Sequence, residues 1–437
     1  MKVALHKNQL KVIAVLGAVA LVMLCGVAYT LSRRLNSKVP ASAIPAEHEY
    51  SRDARVSANE RILWENNFGG SGDDEVVAAF TEFGYIYVFG NTTSSDLDFS
   101  ANLEGGKRGF GARLSESGKT LEFTAFDFTV VKVIPTSSGF TVAGNDGSNA
   151  GIYLLTGSLV LEKSRTINSA HELNVRNLYV YDDRYYLISD STDGILGLKT
   201  VVLDILSPSL ELLRTKLFSR SYGLDFIDLM PYHGGYVLAA YAYHQTAGFL
   251  TLARFDTLTE PAYVDLSLGY PYRPLSVMPL GEGYAAIYDR EGKCEMLTVS
   301  SDFKRTSVRF LSDEENAGRK SLLYAASPYA YTGSELIELH SDGSKLGSVA
   351  FKVEKITSYI TSGNASIIAG IDGTHVKIAM ISTQKSEVVT FELTSPASAE
   401  LMLFGDGIIL ASGTRAATPD CAGHFGGLDA FICKIGL

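Results

Sequence analysis

The chain has 437 residues, 46% hydrophobic and 20% charged, a balance that excludes disorder over most of its length. The formal net charge of −10 argues against nucleic acid as a partner, because phosphate binding needs clustered Lys and Arg. Gly is frequent at 41, and 23 Tyr and 21 Phe stand against a single Trp, a skew toward turns and strands.

A short flank, residues 1–11, carries Lys2, Lys7 and Lys11. Residues 12–31 then form an uncharged apolar run of 20, and about 20 residues at roughly 1.5 Å rise cross a bilayer core as a helix. A transmembrane helix is expected there. Basic residues flank it on both sides, with Arg33, Arg34 and Lys38 after it, so their balance does not orient it. The minimal N-terminal flank and the large glycine-rich region that follows favour the C-terminal part outside the cytoplasm. A cleaved signal peptide fits less well, since its apolar region runs only about 7 to 15 residues. Cys25-Gly26 resembles a lipoprotein site, but Leu24 stands where that motif wants a small residue, and the apolar run continues past it.

Residues 32–60, with Pro40 and Pro45 among Ala and Ser, lack apolar periodicity and read as a linker or stalk. Residues 1–46 hold six of the 38 basic residues and none of the 48 acidic ones, so the remainder is −16. Residues 61–437 are organised as a repeat. Its clearest phrase is a turn followed by an apolar, β-branched or aromatic strand: Gly84-Tyr85-Ile86-Tyr87-Val88-Phe89-Gly90, then Gly139-Phe140-Thr141-Val142-Ala143-Gly144. Copies recur from Tyr185, Tyr236, Tyr284, Ser366 and Ile408, with a blurred one near Tyr329.

The copies are 37 to 55 residues apart, close to the roughly 40 to 50 of four-stranded propeller blades. Turns such as Ser117-Gly118-Lys119 and Ser341-Asp342-Gly343-Ser344 mark hairpins between the third and fourth strand of a unit. One such sheet cannot bury both faces alone, whereas a ring of them can. The expected fold is therefore all-β, a single β-propeller of about eight four-stranded blades, with seven as the alternative. The last unit stops one strand short, and the segment around Trp64, before the first complete unit, can supply it. Closure is expected by pairing that segment with the last strand, which contains Phe431.

Trp64-Glu65-Asn66-Asn67-Phe68-Gly69-Gly70-Ser71-Gly72-Asp73-Asp74, with the phrase from Gly84 and Ser94-Ser95-Asp96-Leu97-Asp98-Phe99, resembles bacterial β-propeller repeats of the SBBP type. Phe425-Gly426-Gly427-Leu428-Asp429-Ala430-Phe431 resembles the third strand of the same repeat. The resemblance covers about a quarter of the chain. It implies an extracytoplasmic propeller and specifies neither ligand nor activity.

Asp73, Asp74, Asp96 and Asp98 lie on loops of the first unit, where carboxylates either coordinate Ca²⁺ or cap turns; their spacing does not match an EF-hand. No other cofactor is indicated. Cys421 and Cys433 are close enough in sequence for a local disulfide in an oxidising compartment. His171, His233, Tyr243, His244 and His424 fall on inter-strand loops, which a propeller gathers on its faces. Tyr270-Pro271-Tyr272-Arg273-Pro274 is a Pro-stiffened turn with aromatic and cationic contacts to offer a partner. No nucleophile elbow, zinc-protease helix or phosphate loop is present, and a single Trp argues against quinone-dependent propeller dehydrogenases.

The expectation is a single-pass cell-membrane protein, anchored by its N-terminal helix, whose propeller binds or scaffolds a protein or glycan without catalysis. One alternative is an extracytoplasmic glycosidase or lyase with its site at the channel mouth. A second is an envelope-protein assembly factor.

Overall fold

A computed structural model describes residues 60–436, apart from the short stretches 100–105, 193–196, 269–271, 313–318 and 416–425 and residues 170, 233, 245–246, 257–258, 292, 383–384, 395, 397 and 406. Among the described residues no helix is long and apolar enough to cross a membrane. The expected span 12–31, and all of the linker except its last residue, lie outside them.

The described chain is all strand apart from turns and one short 3-10 turn, Leu97–Phe99. Thirty-two strands form eight sheets of four. Blade 1 consists of β2 (Asp74–Glu82), β3 (Tyr85–Thr92), β4 (Arg108–Leu114) and β5 (Thr120–Phe126), and blade 2 runs from β6 (Thr129–Pro135) to β9 (Leu161–Ile167). Blade 3 runs from β10 (Leu173–Tyr181) to β13 (Leu212–Phe218), and blade 4 from β14 (Gly223–Tyr232) to β17 (Ala262–Ser267). Blade 5 spans β18 (Pro274–Leu280) to β21 (Arg305–Ser312), blade 6 β22 (Ser321–Tyr324) to β25 (Lys345–Ala350), and blade 7 β26 (Lys355–Ser362) to β29 (Ser386–Glu392). The blurred repeat near Tyr329 is a true blade with inner strands of only four residues, so the count is eight.

Blade 8 is composite. Its order is β1 (Ile62–Phe68), β32 (Asp429–Gly436), β31 (Gly407–Thr414) and β30 (Ala399–Phe404). β1 runs antiparallel to β32, with Trp64 opposite Lys434 and Asn67 opposite Phe431. Joining the first strand to the last turns a linear array into a ring, so opening it exposes a whole sheet edge.

The burial pattern explains the repeated phrase. Second strands pack on a neighbouring blade through both faces and are buried almost throughout, as in β3 and β31. Fourth strands form the outer rim and are largely exposed, as in β9 and β25. Aromatic rings fill the wedges between sheets; Phe140 stacks within 4.6 to 5.9 Å of Tyr87, Phe89 and Phe80 across the seam of blades 1 and 2. The hairpin between third and fourth strands needs a left-handed residue. Gly118 fills it in blade 1, while blades 2, 3 and 5 use Leu159, Leu210 and Phe303, whose buried side chains offset the backbone cost.

Candidate functional site

The aspartates of the first unit sit where the ring closes. The loop from Gly69 to Asp73 presents five consecutive backbone N–H groups, and each finds a side-chain acceptor. Gly69 donates to Asp98 Oδ2 (3.0 Å), Gly70 to Asp74 Oδ2 (2.9 Å) and Ser71 to Asp96 Oδ1 (2.8 Å). Gly72 donates to Ser94 Oγ (2.9 Å) and Asp73 to Thr93 Oγ1 (2.8 Å). Asp74, fully buried, also accepts from Thr92 (2.6 Å) and Ser94 (3.0 Å). Burial raises its pKa to about 7 against the opposing pull of these hydrogen bonds.

Asp73 faces the chain's last strand instead, accepting from Leu428 N–H (2.9 Å) and pairing with Arg415 (3.0 Å). The two sequence-distant halves of the glycine motif thus meet at one seam. The carboxylates point at backbone donors, and among the described residues no three His, Cys, Asp or Glu side chains converge as a metal ion requires. Cys433 lies in β32 inside the apolar cluster between blades 7 and 8; Cys421, its expected disulfide partner, is outside the described residues.

One face of the ring, formed by the loops leading into each first strand, is tied across blades. Lys199 of blade 3 pairs with Asp225 of blade 4 (2.9 Å), which also receives Arg273 (3.4 Å). Lys320 pairs with Asp289 between blades 5 and 6. Arg273 lies over Tyr241 and Arg290 over Tyr272, whose hydroxyl donates to Glu291 (3.0 Å). Tyr272 and Arg273 are therefore pinned to the scaffold; Tyr270 and Pro271 are outside the described residues, as are His233, His424 and the side chain of His244. His171 is exposed on a loop. On the opposite face, a cavity of about 320 Å³ between blades 5 and 6 includes Tyr284, Arg309 and Asp342 in its wall.

The most distinctive chemistry lines the axial channel. First strands of neighbouring blades touch at most seams of the ring, and six of them carry a bulge at the same place, beginning with Val76/Ala78 and Val130/Lys132. The residue just past that register position is the apolar Ala78 in blade 1 and is polar in the other five, Lys132, Asn177, Asp228, Ser276 and Ser358; with Glu400 at the same place in unbulged β30, these six polar residues form a belt. Asp228 Oδ1 accepts from Tyr179 (2.6 Å) and from Leu229 N–H (2.8 Å). Lys132 of blade 2 acts electrostatically on both Asp228 of blade 4 and Glu400 of blade 8, and Tyr359 of blade 7 feels Asp228. Groups on non-adjacent blades reach one another only across the axis.

Burial raises the pKa of Asp228, although Tyr179 and Leu229 oppose the shift. Burial also pushes Glu400 up to about 7, with Lys132 pulling it down. The sequence reading overlooked this belt, yet it is regular: each of the six residues lies eight positions before the start of a repeated phrase, at Phe140, Tyr185, Tyr236, Tyr284, Ser366 and Ile408.

No family model matches the chain, and no curated protein is significantly similar to it in sequence. Among solved structures it is similar to the Dos1 propeller, with a TM-score of 0.52 at 13% identity over 85% of this chain and 95% of that one. The AfRom2 CNH domain gives a TM-score of 0.42 at 12% identity, over 70% of this chain and 94% of its own. The WD40 domain of Neurospora crassa Pan2 gives 0.41 at 10%, over 83% of this chain and 89% of its own. At these identities the likeness extends to the fold alone.

Proposed function

We propose that the protein is a membrane-anchored β-propeller displayed outside the cytoplasm, where it acts as a non-catalytic module that binds or scaffolds a protein or glycan. The observation that carries this reading is the loop face, where Lys199–Asp225, Lys320–Asp289 and Arg415–Asp73 pairs bridge separate blades or the closure seam. Such a face is preorganised, so little ordering entropy is lost when a partner docks. The apolar run 12–31 supports the anchor, and the −16 charge beyond residue 46 favours a cationic partner.

Labelling of single cysteines on intact cells tests the location. A cysteine at Glu116, in an exposed hairpin, should react with an impermeant maleimide, whereas reaction only after lysis would place the propeller inside. A photo-crosslinker at Tyr243 or Tyr272 should capture one specific partner, and the same group at rim residue Leu213 should not. Equal capture at all three would remove the loop face from the argument.

A second reading, a glycosidase or lyase, rests on Asp228 and Glu400, because blades 4 and 8 stand opposite one another in a ring of eight. Turnover of a polysaccharide by the purified protein, lost in Glu400→Gln, would establish it in place of the first.

A further inference from the structure

We propose that the hairpin face of the ring rests on a lipid bilayer, its exposed apolar side chains dipping between headgroups of no net charge, which leaves the loop face turned away from the membrane. The inference rests on the N-terminal anchor proposed above.

Because neighbouring strands are antiparallel, the turns between first and second strands and between third and fourth strands all fall on one face, opposite the loop face. Exposed large apolar side chains are unevenly shared between the two. Among the described residues, eleven lie in a turn or within two positions of a strand end on the hairpin face, against four on the loop face. Seven of the eleven belong to blades 1 to 3, with Val160 55% and Leu213 52% exposed. Such a concentration marks a contact surface, whereas single scattered residues do not.

Phe83 carries the argument furthest. It sits at φ +54° beside Gly84 at +77°, in a two-residue turn that suits Asn-Gly and strains a bulky side chain. Leu159, Leu210 and Phe303 bear the same strain and are buried, but Phe83 is 46% exposed. Its ring stands edge-on to Tyr87 and reaches the blade 2 hairpin at Gly157, three residues before Val160. The strained turn thus presents an aromatic ring to the surroundings and joins the apolar residues of two blades.

The path of the chain identifies what covers this face. β1 begins on it: the Arg61 carbonyl accepts from Gly436 N–H, and Ile62 lies opposite Ile435. Residues 32–59 lead to that point from the apolar run 12–31, and a linker of this length spans about 30 Å on average. A membrane that holds 12–31 therefore lies closest to the face where the chain enters the ring. The tether supplies a high effective concentration, so a contact too weak to recruit free protein is enough. In the turns of blades 1 to 3 the exposed Glu116, Asp182, Asp183 and Glu211 outweigh Lys119 and Lys163. Anionic lipid is therefore not the attraction; apolar burial is, and the carboxylates stay in the hydrated headgroup layer.

The test is quenching of introduced tryptophans by brominated phosphatidylcholine, with the full-length protein reconstituted in vesicles of that lipid. Phe83→Trp and Leu161→Trp are read against Leu97→Trp on the loop face, after subtraction of the wild-type emission from buried Trp64. Apolar groups docked on a bilayer sit roughly 5 to 10 Å into the headgroup and acyl boundary, so both hairpin tryptophans should lose most of their emission while Leu97→Trp keeps its own. Flotation of the wild type with vesicles reads the anchor separately. Protein that does not float removes the anchor and the docking together. Protein that floats, with hairpin tryptophans quenched no more than Leu97→Trp, overturns the docking alone. Hairpin tryptophans shielded from aqueous iodide but not quenched by bromine would give the face to a second copy of the chain and also overturn it. Either hairpin variant decides the matter if the other fails to fold.

Discussion

Asn91 of blade 1 holds Val130 of blade 2 by both ends of its carboxamide: its Oδ1 accepts from the Val130 N–H at 2.7 Å, and its Nδ2 donates to the Val130 carbonyl at 2.9 Å. Asn145 repeats half of this grip on the next seam, accepting from Val175 N–H at 2.9 Å. Both asparagines follow a glycine, and a Cβ on Gly90 or Gly144 would collide with a carbonyl of the adjacent first strand, that of Glu75 or Thr129. The Gly-Asn pair therefore joins close strand packing to inter-blade attachment.

Replacing Asn91 by Ala leaves a buried N–H and a buried carbonyl without partners, which should cost about 2 to 4 kcal/mol in urea unfolding. Asn145→Ala breaks one such bond and should cost about half as much. Equal losses at the two sites would mean that the second hydrogen bond of Asn91 contributes nothing.

Ring closure rests on Trp64 as well as on strand pairing. Its ring lies against Gly118, and Asn66 Nδ2 donates to the Gly118 carbonyl at 2.8 Å, so β1 is fastened to blade 1 as it completes blade 8. A Cβ at Gly118, where φ is +79°, would strike the indole, whereas Gly147, at φ +58°, has open space around it. Gly118→Ala should therefore lower the melting temperature more than Gly147→Ala, which carries only the backbone cost of roughly 1 kcal/mol. Similar shifts would show that Trp64 yields freely.

Acid and base should act on this protein in an unusual direction. The native pKa values of Asp74 and Glu400 are both raised to about 7 by burial, so the native state holds protons that the unfolded chain releases. Their contribution favours folding at about pH 4 and is lost as pH rises toward 7. Chemical denaturation at a series of pH values should show a smaller decline in Glu400→Gln than in wild type. An identical slope in the two would show that Glu400 titrates normally.

The first-blade aspartates give a direct prediction about metal. Asp74, Asp96 and Asp98 accept the N–H groups of Gly70, Ser71 and Gly69, an arrangement that calcium would have to dismantle. Chelation with EDTA should leave the melting temperature unchanged. A rise of several degrees on adding calcium would instead assign the loop to the ion. Asp74→Ala should destabilise in either medium, since it frees the Gly70 N–H and the Thr92 and Ser94 hydroxyls in a buried place.

Local pattern carried the architecture. The recurring phrase from Tyr85 to Ile408 exposed the repeat because second strands, buried on both faces, must be apolar in every blade. The missing strand of the last unit announced a composite blade, since a ring cannot close on three strands there and a spare one at Trp64. The count was ambiguous only where β22 and β23 shrink to four residues, too short for alternation to show.

Convergence across the axis was decided by tertiary structure alone. Lys132, Asp228 and Glu400 are about a hundred residues or more apart, and nothing local marks them as neighbours; only the curvature of an eight-membered ring brings their strands to one channel. The aspartates of the first blade show the same division. Their spacing allowed an ion site or, more readily, turn capping, and that the Gly69–Asp73 N–H groups point at them is a property of the folded backbone and not of residue type.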